Sequence, residues 1–520
     1  MHRRAVVLPF LCALLLLLGG VPASAQPAPL AGFDASTNAA LREWNVPGLA
    51  VSVVKDGKVV FSKGYGVRKV GESAPIDDHT LFSIGSISKS FTAMALGMLV
   101  EEGKLSWDDP VRQYLPYFEL YDPYVTREFT IRDLLVHRSG LPEFCGGILW
   151  YGSDFSREEV VKRLRHIKPV TSFRATFGYQ SVTYMAAGEV IRAVTGKSWE
   201  DFIRERIFTP LDMKESSSLF RELKGAKNLA MPHVRLEGKP VAIAYRDSDA
   251  LGPGGSIVSN IHDMSRYVQL LLAQGTLEGK KLYGEGVARE LFTPQMLVPL
   301  RPSSRPELKP LNATFSAYGM GWFLRDYRGR KLVTHSGGMD GMAAVVLLVP
   351  EENLGITVLS HQDGAIGTTT AYQFLDAYLG APRTDWSKLV LKFREEGEQK
   401  EKEAETKLVA ARVQGTKPSL EPARYAGRYR DPMYGDLSIT QENGKLVLGF
   451  SHSPSFTADL EHWQYDTYRL HWRDPMGFPK GFITFTLDAK GNIKGFEFDQ
   501  PRLLDVNFDE LHVTRAPDAH

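Results

Sequence analysis

Between Leu49 and Val70 apolar and polar positions alternate on both sides of Asp56-Gly57, as in Leu49-Ala50-Val51-Ser52-Val53-Val54 and Val59-Val60-Phe61. A period of two around a turn-favouring dipeptide predicts an antiparallel hairpin. The period then changes. Ile87, Phe91, Met94, Ala95, Met98 and Leu99 recur at helical spacing as far as Val100, with Gly103 as a stop, which predicts a largely buried helix. Helical patterns follow at Thr130–Val136, Tyr184–Val194 and Asp263–Leu272, and strand-like runs return at Gly319–Leu324, Ala343–Val349 and Gly355–Leu359. Helices in the middle and strands at both ends predict an α+β domain whose terminal segments share one antiparallel sheet, with a helical insertion between them.

From Lys392 to Lys407 the chain reads KFREEGEQKEKEAETK, a mixed-charge run expected to form a solvated helix or linker. Beyond Pro418 it becomes β-rich and aromatic, with turn signals at Asn443-Gly444 and Gly491-Asn492 beside Phe482–Leu487 and Phe496–Phe498. About 100 residues suffice for a small all-β barrel or sandwich.

Composition narrows the function classes. The 520 residues are 43% apolar and 24% charged, which fits folded domains and argues against bulk disorder. With 62 basic against 61 acidic residues there is no positive field of the kind nucleic acid or an anionic membrane surface requires. The N-terminus carries Arg3 and Arg4, an apolar run from Ala5 to Val21, and Ala23-Ser24-Ala25, which together read as a signal peptide cleaved after Ala25. The apolar run is at the short limit for a membrane span. Cleavage removes Cys12 and leaves Cys145 as the one thiol, so no intramolecular disulfide is expected; Cys145 reads as a small buried hydrophobe.

Several chemical motifs are missing. There is no Gly-x-Ser-x-Gly and no His-Glu-x-x-His, and Gly196-Lys197-Ser198 has Ile191 where a P-loop needs glycine. Ser-x-x-Lys occurs twice. Ser52 and Lys55 lie on a predicted strand, where residues three apart point to opposite faces. Ser86 and Lys89 open the buried helix, where residues three apart share a face and the amine can reach the hydroxyl. A lysine desolvated by apolar neighbours can lose its proton near neutrality and activate a serine. The bland reading of Ser86 is a helix cap.

The flanking residues carry a family resemblance. Leu81-Phe82-Ser83-Ile84-Gly85-Ser86-Ile87-Ser88-Lys89 resembles the active-site segment of the serine β-lactamase and DD-peptidase superfamily, in its class C, esterase and D-aminopeptidase branch. Thr130-Ile131-Arg132-Asp133-Leu134-Leu135-Val136-His137-Arg138-Ser139-Gly140-Leu141-Pro142 is similar to the segment that follows the nucleophile helix there. Pro210-Leu211-Asp212-Met213 resembles its Pro-Leu-Gly-Met turn, and Tyr318-Gly319-Met320-Gly321-Trp322 and His335-Ser336-Gly337-Gly338 its late strands.

The resemblance spans roughly Phe33 to Leu379 and implies a β-lactamase/transpeptidase-like fold. It divides the chain into a leader at 1–25, a hydrolase domain at 26–382, a charged linker or helix at 383–417 and a β-barrel-like domain at 418–520. The last is similar to the domain appended to some D-amino-acid-specific peptidases, where it is open to roles in access, assembly into a homo-oligomer, or binding. By resemblance the catalytic residues are Ser86, Lys89, Tyr179 (in Phe177-Gly178-Tyr179-Gln180-Ser181, where the branch has Tyr-x-Asn) and His335, with Ser181, Ser336, Gly337 and Gly338 binding substrate. The backbone N–H groups of Ser86 and Gly338 would hold the oxyanion. Ser181 replaces an amide and His335 a lysine, and both changes weigh against efficient β-lactam turnover. The expected protein is an exported, periplasmic or secreted serine hydrolase acting through an acyl-enzyme on amides or esters related to D-amino-acid peptides. No metal or cofactor is implied. The alternatives are a penicillin-binding-like sensor with little turnover, and an assembly protein whose C-terminal domain can be deleted without loss of Ser86 chemistry.

Overall fold

The structure is a computed structural model that describes residues 30–503 and 505–517. The leader expected at 1–25 lies outside the described residues. The hairpin forms as expected from β1 (Gly48–Lys55) and β2 (Lys58–Gly66). Asp56 and Gly57 both take positive φ, 51° and 75°, the twist that joins two right-handed strands. The hairpin joins a sheet with six strands from far along the chain, β3 (Met296–Leu297), β4 (Ser316–Tyr318), β5 (Phe323–Tyr327), β6 (Arg330–Met339), β7 (Met342–Val349) and β8 (Leu354–Ser360), where β1 pairs with β8. The order β2-β1-β8-β7-β6-β5-β4-β3 makes one antiparallel sheet of the two ends of the domain.

Alternation along the strands divides the core in two. Ala50, Val54, Val346 and Leu348 face a cluster that includes the central helices, whereas Leu49, Val51, Val53, Val345 and Leu347 face a second cluster. That second cluster holds helix α1 (Phe33–Trp44) and two helices from beyond the sheet, Ile366–Tyr378 and the start of Trp386–Ala410. At ~1.5–3 kcal/mol per fully buried large apolar side chain, these two interfaces hold the sheet between layers.

Helix α2 (Ser88–Glu101) follows a single 3-10 turn, Gly85–Ile87, and its first twelve residues are all buried. The short helix α3 (Ile131–Leu135) packs on α4 (Val182–Thr195), which in turn packs beside α2, and Phe91 of α2 stacks on Tyr267 of α5 (Ile261–Leu272) at 3.9 Å between ring centroids. The strand expected at Gly319–Leu324 is a correction: residues 319–322 form a reversal between β4 and β5. Gly319 N donates to Trp322 O at 2.8 Å, and Gly321 takes φ 77°. A Cβ on Gly321 would stand 2.9 Å from Ser90 Cα, so glycine is what lets this turn press on α2 next to Lys89.

The charged run lies in the long helix Trp386–Ala410, of which only Trp386, Ser387 and Leu391 are buried. Eight further strands, from Gly427–Asp431 to Val513–Arg515, close into a barrel. The barrel is not a loosely tethered appendage. Its Phe456, Val506 and Phe508 belong to the same apolar cluster as Ile148, Trp150 and Tyr151 of the first domain. Arg246 spans the junction, bonding Asp340 at 2.6 Å and Asp474 of the barrel at 3.0 Å.

Candidate active site

Ser83, Ser88 and Ser90 use their hydroxyls to build the backbone around Ser86. Gly85 N donates to Ser83 Oγ, Ser88 Oγ donates to Gly85 O at 2.7 Å and accepts from Ile257 N at 3.1 Å, and Ser90 Oγ donates to Ile87 O at 2.7 Å. Ser86 has no such duty. Neither the 3-10 turn nor α2 has a side-chain cap, so the capping role is not the one it fills.

The Ser86 hydroxyl faces Lys89 instead, at 3.1 Å from Nζ. Lys89 is completely buried, and its three N–H bonds go to Ser86 Oγ, Ser181 Oγ at 3.1 Å and Gly254 O at 2.7 Å. Burial pulls the amine down to about 8, and the charge of Asp505 opposes that fall. The rings of Tyr179 and Tyr184 lie 4.9 and 5.5 Å from the ammonium and partly replace lost water. Ser52 and Lys55 do not meet in this way: Ser52 is buried in the sheet and Lys55 pairs with Asp56.

Tyr179 sits just before α4, nearly buried. Desolvation pushes its phenol well above 10, the nearby Asp505 charge adds to this, and a hydrogen bond with Ser86 opposes it. Tyr179 is therefore a neutral phenol across the ordinary pH range, suited to pass a proton and not to store one. His137 fixes this segment: its carbonyl accepts from Gly178 N at 2.9 Å and its Nδ1 accepts from Gln180 N at 3.1 Å. The ring also packs on Tyr179 at 4.3 Å and Tyr318 at 4.6 Å. Upstream, buried Asp133 completes a capping box with Thr130 and binds Arg138 and Arg174, both at 2.6 Å. The motif from Thr130 to Pro142 is thus scaffolding for Tyr179, a role that its residue types did not disclose.

On β6 the residues alternate as the pleat demands: His335 and Gly337 are buried and Ser336 is exposed. His335 lies 6.2 Å from the Tyr179 ring, its Nε2 is 3.1 Å from Tyr318 Oη, and its Nδ1 is 2.6 Å from Ser336 O. Burial, with the charge of Lys89, pulls the imidazole down to about 3, so it is neutral. Gly337 and Gly338 bring the strand against the turn that carries Ser86. A Cβ on Gly337 would fall 1.9 Å from Ile84 O, and one on Gly85 would fall 2.7 Å from Gly338 N. Only glycine at both places lets the backbones of Ser86 and Gly338 converge.

Ser181 is held between two charged groups and not presented openly to a ligand. It accepts from Lys89 and donates to Asp505 Oδ2 at 3.2 Å. Asp505 belongs to the barrel, 324 residues away in sequence, and was not anticipated from the sequence. Cys145 is buried, as expected, and burial pushes its thiol well above its usual range, which keeps it protonated.

An antiparallel sheet with a helical insertion, and a serine and a buried lysine one turn apart where they meet, define the β-lactamase/transpeptidase class of fold. The chain belongs to the Beta-lactamase family, whose profile matches residues 33–378; residues 411–515 match a domain of unknown function, DUF3471. Among curated proteins it is 27% identical over 451 residues to the unguisins hydrolase ungD of Aspergillus violaceofuscus, covering 80% of this chain and 78% of that one. It is 29% identical to the corresponding ungD' of Aspergillus campestris, covering 80% and 79%, and 25% identical to protein flp of Staphylococcus aureus strain N315, covering 62% and 61%. Among solved structures, the octameric penicillin-binding protein homologue from Pyrococcus abyssi superposes with a TM-score of 0.61 at 23% identity, covering 90% of this chain and 98% of that one. SurE superposes at 0.55 and 19%, covering 94% and 99%. These two share the fold.

Proposed function

We propose that the protein is an exported serine hydrolase that works through an acyl-enzyme on amide or ester bonds, with peptides containing D-amino acids or related esters as substrates. The observation that carries this reading is the Ser86 hydroxyl 3.1 Å from a fully buried Lys89 whose amine is pulled down to about 8. In its neutral form Lys89 has a lone pair for the Ser86 proton. Ser86 Oγ attacks the carbonyl carbon, the proton passes to Lys89 Nζ, and the oxyanion forms against the N–H groups of Ser86 and Gly338. As the C–N or C–O bond breaks, the proton moves through the Tyr179 hydroxyl to the leaving group. Water then gives its proton to Lys89 and adds to the ester carbonyl, and Ser86 leaves with the proton restored. Neutral His335 supports Tyr318 and the aromatic wall and takes no part in proton storage.

The hydrolase names of the Aspergillus relatives support the reaction class. No helix among the described residues is long and apolar enough to cross a membrane. The engagement of Ser181 by Lys89 and Asp505 favours one second reading, a penicillin-binding-like sensor that acylates and deacylates slowly. Hydrolysis of D-alanyl esters and anilides by wild type and Ser86→Ala tests both. Steady turnover by wild type alone supports the hydrolase; a stoichiometric burst without turnover supports the sensor; equal turnover by both chains refutes Ser86 as nucleophile.

A further inference from the structure

Next to the Ser86 turn, the strand Phe82–Ser83 pairs with Val258–Ser259 in a short antiparallel ladder. Ser86 follows the first of these strands. At the opposite end of the ladder, Asp78 and His79 precede that strand and stand beside His262, the second residue of α5. The two segments are tied together there: His262 N donates to Asp78 O at 3.1 Å, and Asn260 Nδ2 donates to His79 O at 3.4 Å. The rings of His79 and His262 stack with 4.7 Å between centroids, and both histidines are exposed.

One ligand atom from each of Asp78, His79 and His262 lies within 4.8 Å of the other two. Glu215 determines which atom His79 offers. Its carboxylate Oε2 is 2.7 Å from His79 Nδ1 and can only accept, so Nδ1 carries the hydrogen. In the neutral ring the lone pair is then on Nε2, the nitrogen that faces Asp78 Oδ1 at 3.9 Å. A carboxylate behind the far nitrogen of an imidazole is the arrangement that orients metal-bound histidines and strengthens them as ligands. Glu215 is itself held in place, since Asn260 Nδ2 donates to Oε2 at 2.7 Å and Glu215 N donates to the buried Asp263 at 3.1 Å. A plain ion pair of His79 with Glu215 would need neither Asp78 nor a second imidazole.

We infer that Asp78, His79 and His262 bind a divalent transition-metal ion of the Zn2+ class, with Glu215 as the positioning residue behind His79. Two imidazoles and one carboxylate suit zinc better than the all-oxygen sites of calcium or magnesium. Tetrahedral bonds of about 2.0–2.2 Å separate ligand atoms by about 3.3–3.5 Å, so the exposed side chains draw in by about an ångström to close on the ion. Three protein ligands leave a fourth position for water. The N-terminus of α5 disfavours a cation, and the carboxylates of Asp78 and Glu215 offset that field. The bound ion clamps the outer end of the ladder that leads to Ser86, a role independent of the acyl-transfer reading.

The test titrates Zn2+ by isothermal calorimetry into tag-free protein stripped with a chelator, and follows Co2+ by visible absorption. Wild type is expected to bind one ion per chain with a micromolar or tighter Kd, and Co2+ to give the intense band of a four-coordinate site. Glu215→Gln should weaken binding about tenfold with the metal-free melting temperature little changed. His79→Ala and His262→Ala, both at exposed positions, should weaken it further. Zn2+ should raise the melting temperature of wild type and leave that of His262→Ala where it was. No saturable binding below about 0.1 mM Zn2+, or wild-type affinity in either histidine variant, overturns the inference. An affinity unchanged in Glu215→Gln overturns its positioning role.

Discussion

The rate at which Ser86 is acylated should follow the deprotonation of Lys89, and the structure sets where that occurs. Burial pulls the amine from its ordinary 10.5 to about 8. At pH 7 about one enzyme in ten then holds a neutral lysine, against about one in three thousand for an unperturbed amine, a gain of about three-hundredfold in competent base. Of the other groups of the site, His335 is pulled down to about 3, His137 lies well below its usual value and Tyr179 well above 10, while burial raises the Asp505 carboxyl against the opposing charge of Lys89. Fluorophosphonate labelling in the pre-steady state, from pH 5.5 to 10, should therefore rise about tenfold per pH unit at low pH and level off near 8, with about tenfold between pH 7 and the plateau. Lys89→Arg, which cannot give up its proton, should remove the limb and leave slow, pH-independent labelling. A limb still rising at pH 10, or an unchanged profile in Lys89→Arg, would refute the assignment of Lys89 as base.

Asp505 raises the Lys89 value, so Asp505→Asn should shift the same limb to lower pH; a shift to higher pH would remove Asp505 as its counter-charge. Tyr179→Phe should slow acylation by about 10²-fold or more without altering the limb, read from the same traces, because it removes a proton path and not the base. Gly337→Ala must displace the nucleophile turn from β6, since its Cβ falls on Ile84 O, and a misplaced oxyanion site should lower kcat about 10²–10³-fold; wild-type kcat in this variant would contradict the close approach. Arg246→Ala leaves Asp340 and Asp474 buried without their shared cation and should cost about 3 kcal/mol in urea unfolding monitored by tryptophan fluorescence.

The sequence exposed the parts of the site whose geometry is local. Ser86 and Lys89 were separable from Ser52 and Lys55 because one pair lies on a helix and the other on a strand, and that distinction depends on hydrophobic period alone. The eight-stranded sheet was legible in outline for the same reason, since its long strands alternate. The Gly319–Trp322 reversal reads as strand because hydrophobic pattern does not separate a glycine inside a strand from one in a turn, whereas Gly321 is there to approach Ser90. His137 looked like one member of a motif, and its task of holding Gly178 and Gln180 depends on a positive φ of 58° that residue type does not announce. Asp505 was invisible for a different reason. It lies in an irregular barrel segment with no periodic signal, and only tertiary packing brings it to Ser181. That packing also revises the expectation that the barrel can be deleted with Ser86 chemistry intact: truncation after Lys417 would expose Ile148, Trp150 and Tyr151 and remove a carboxylate from the site.

The central claim is that Ser86 is an activated nucleophile. Wild type and Ser86→Ala should be incubated with a neutral alkyl fluorophosphonate at pH 8 and digested for peptide mass spectrometry. The account predicts one adduct per wild-type chain, on the peptide containing Ser86, and none in Ser86→Ala. An unmodified Ser86 in folded wild type, or the same adduct in both chains, would contradict it.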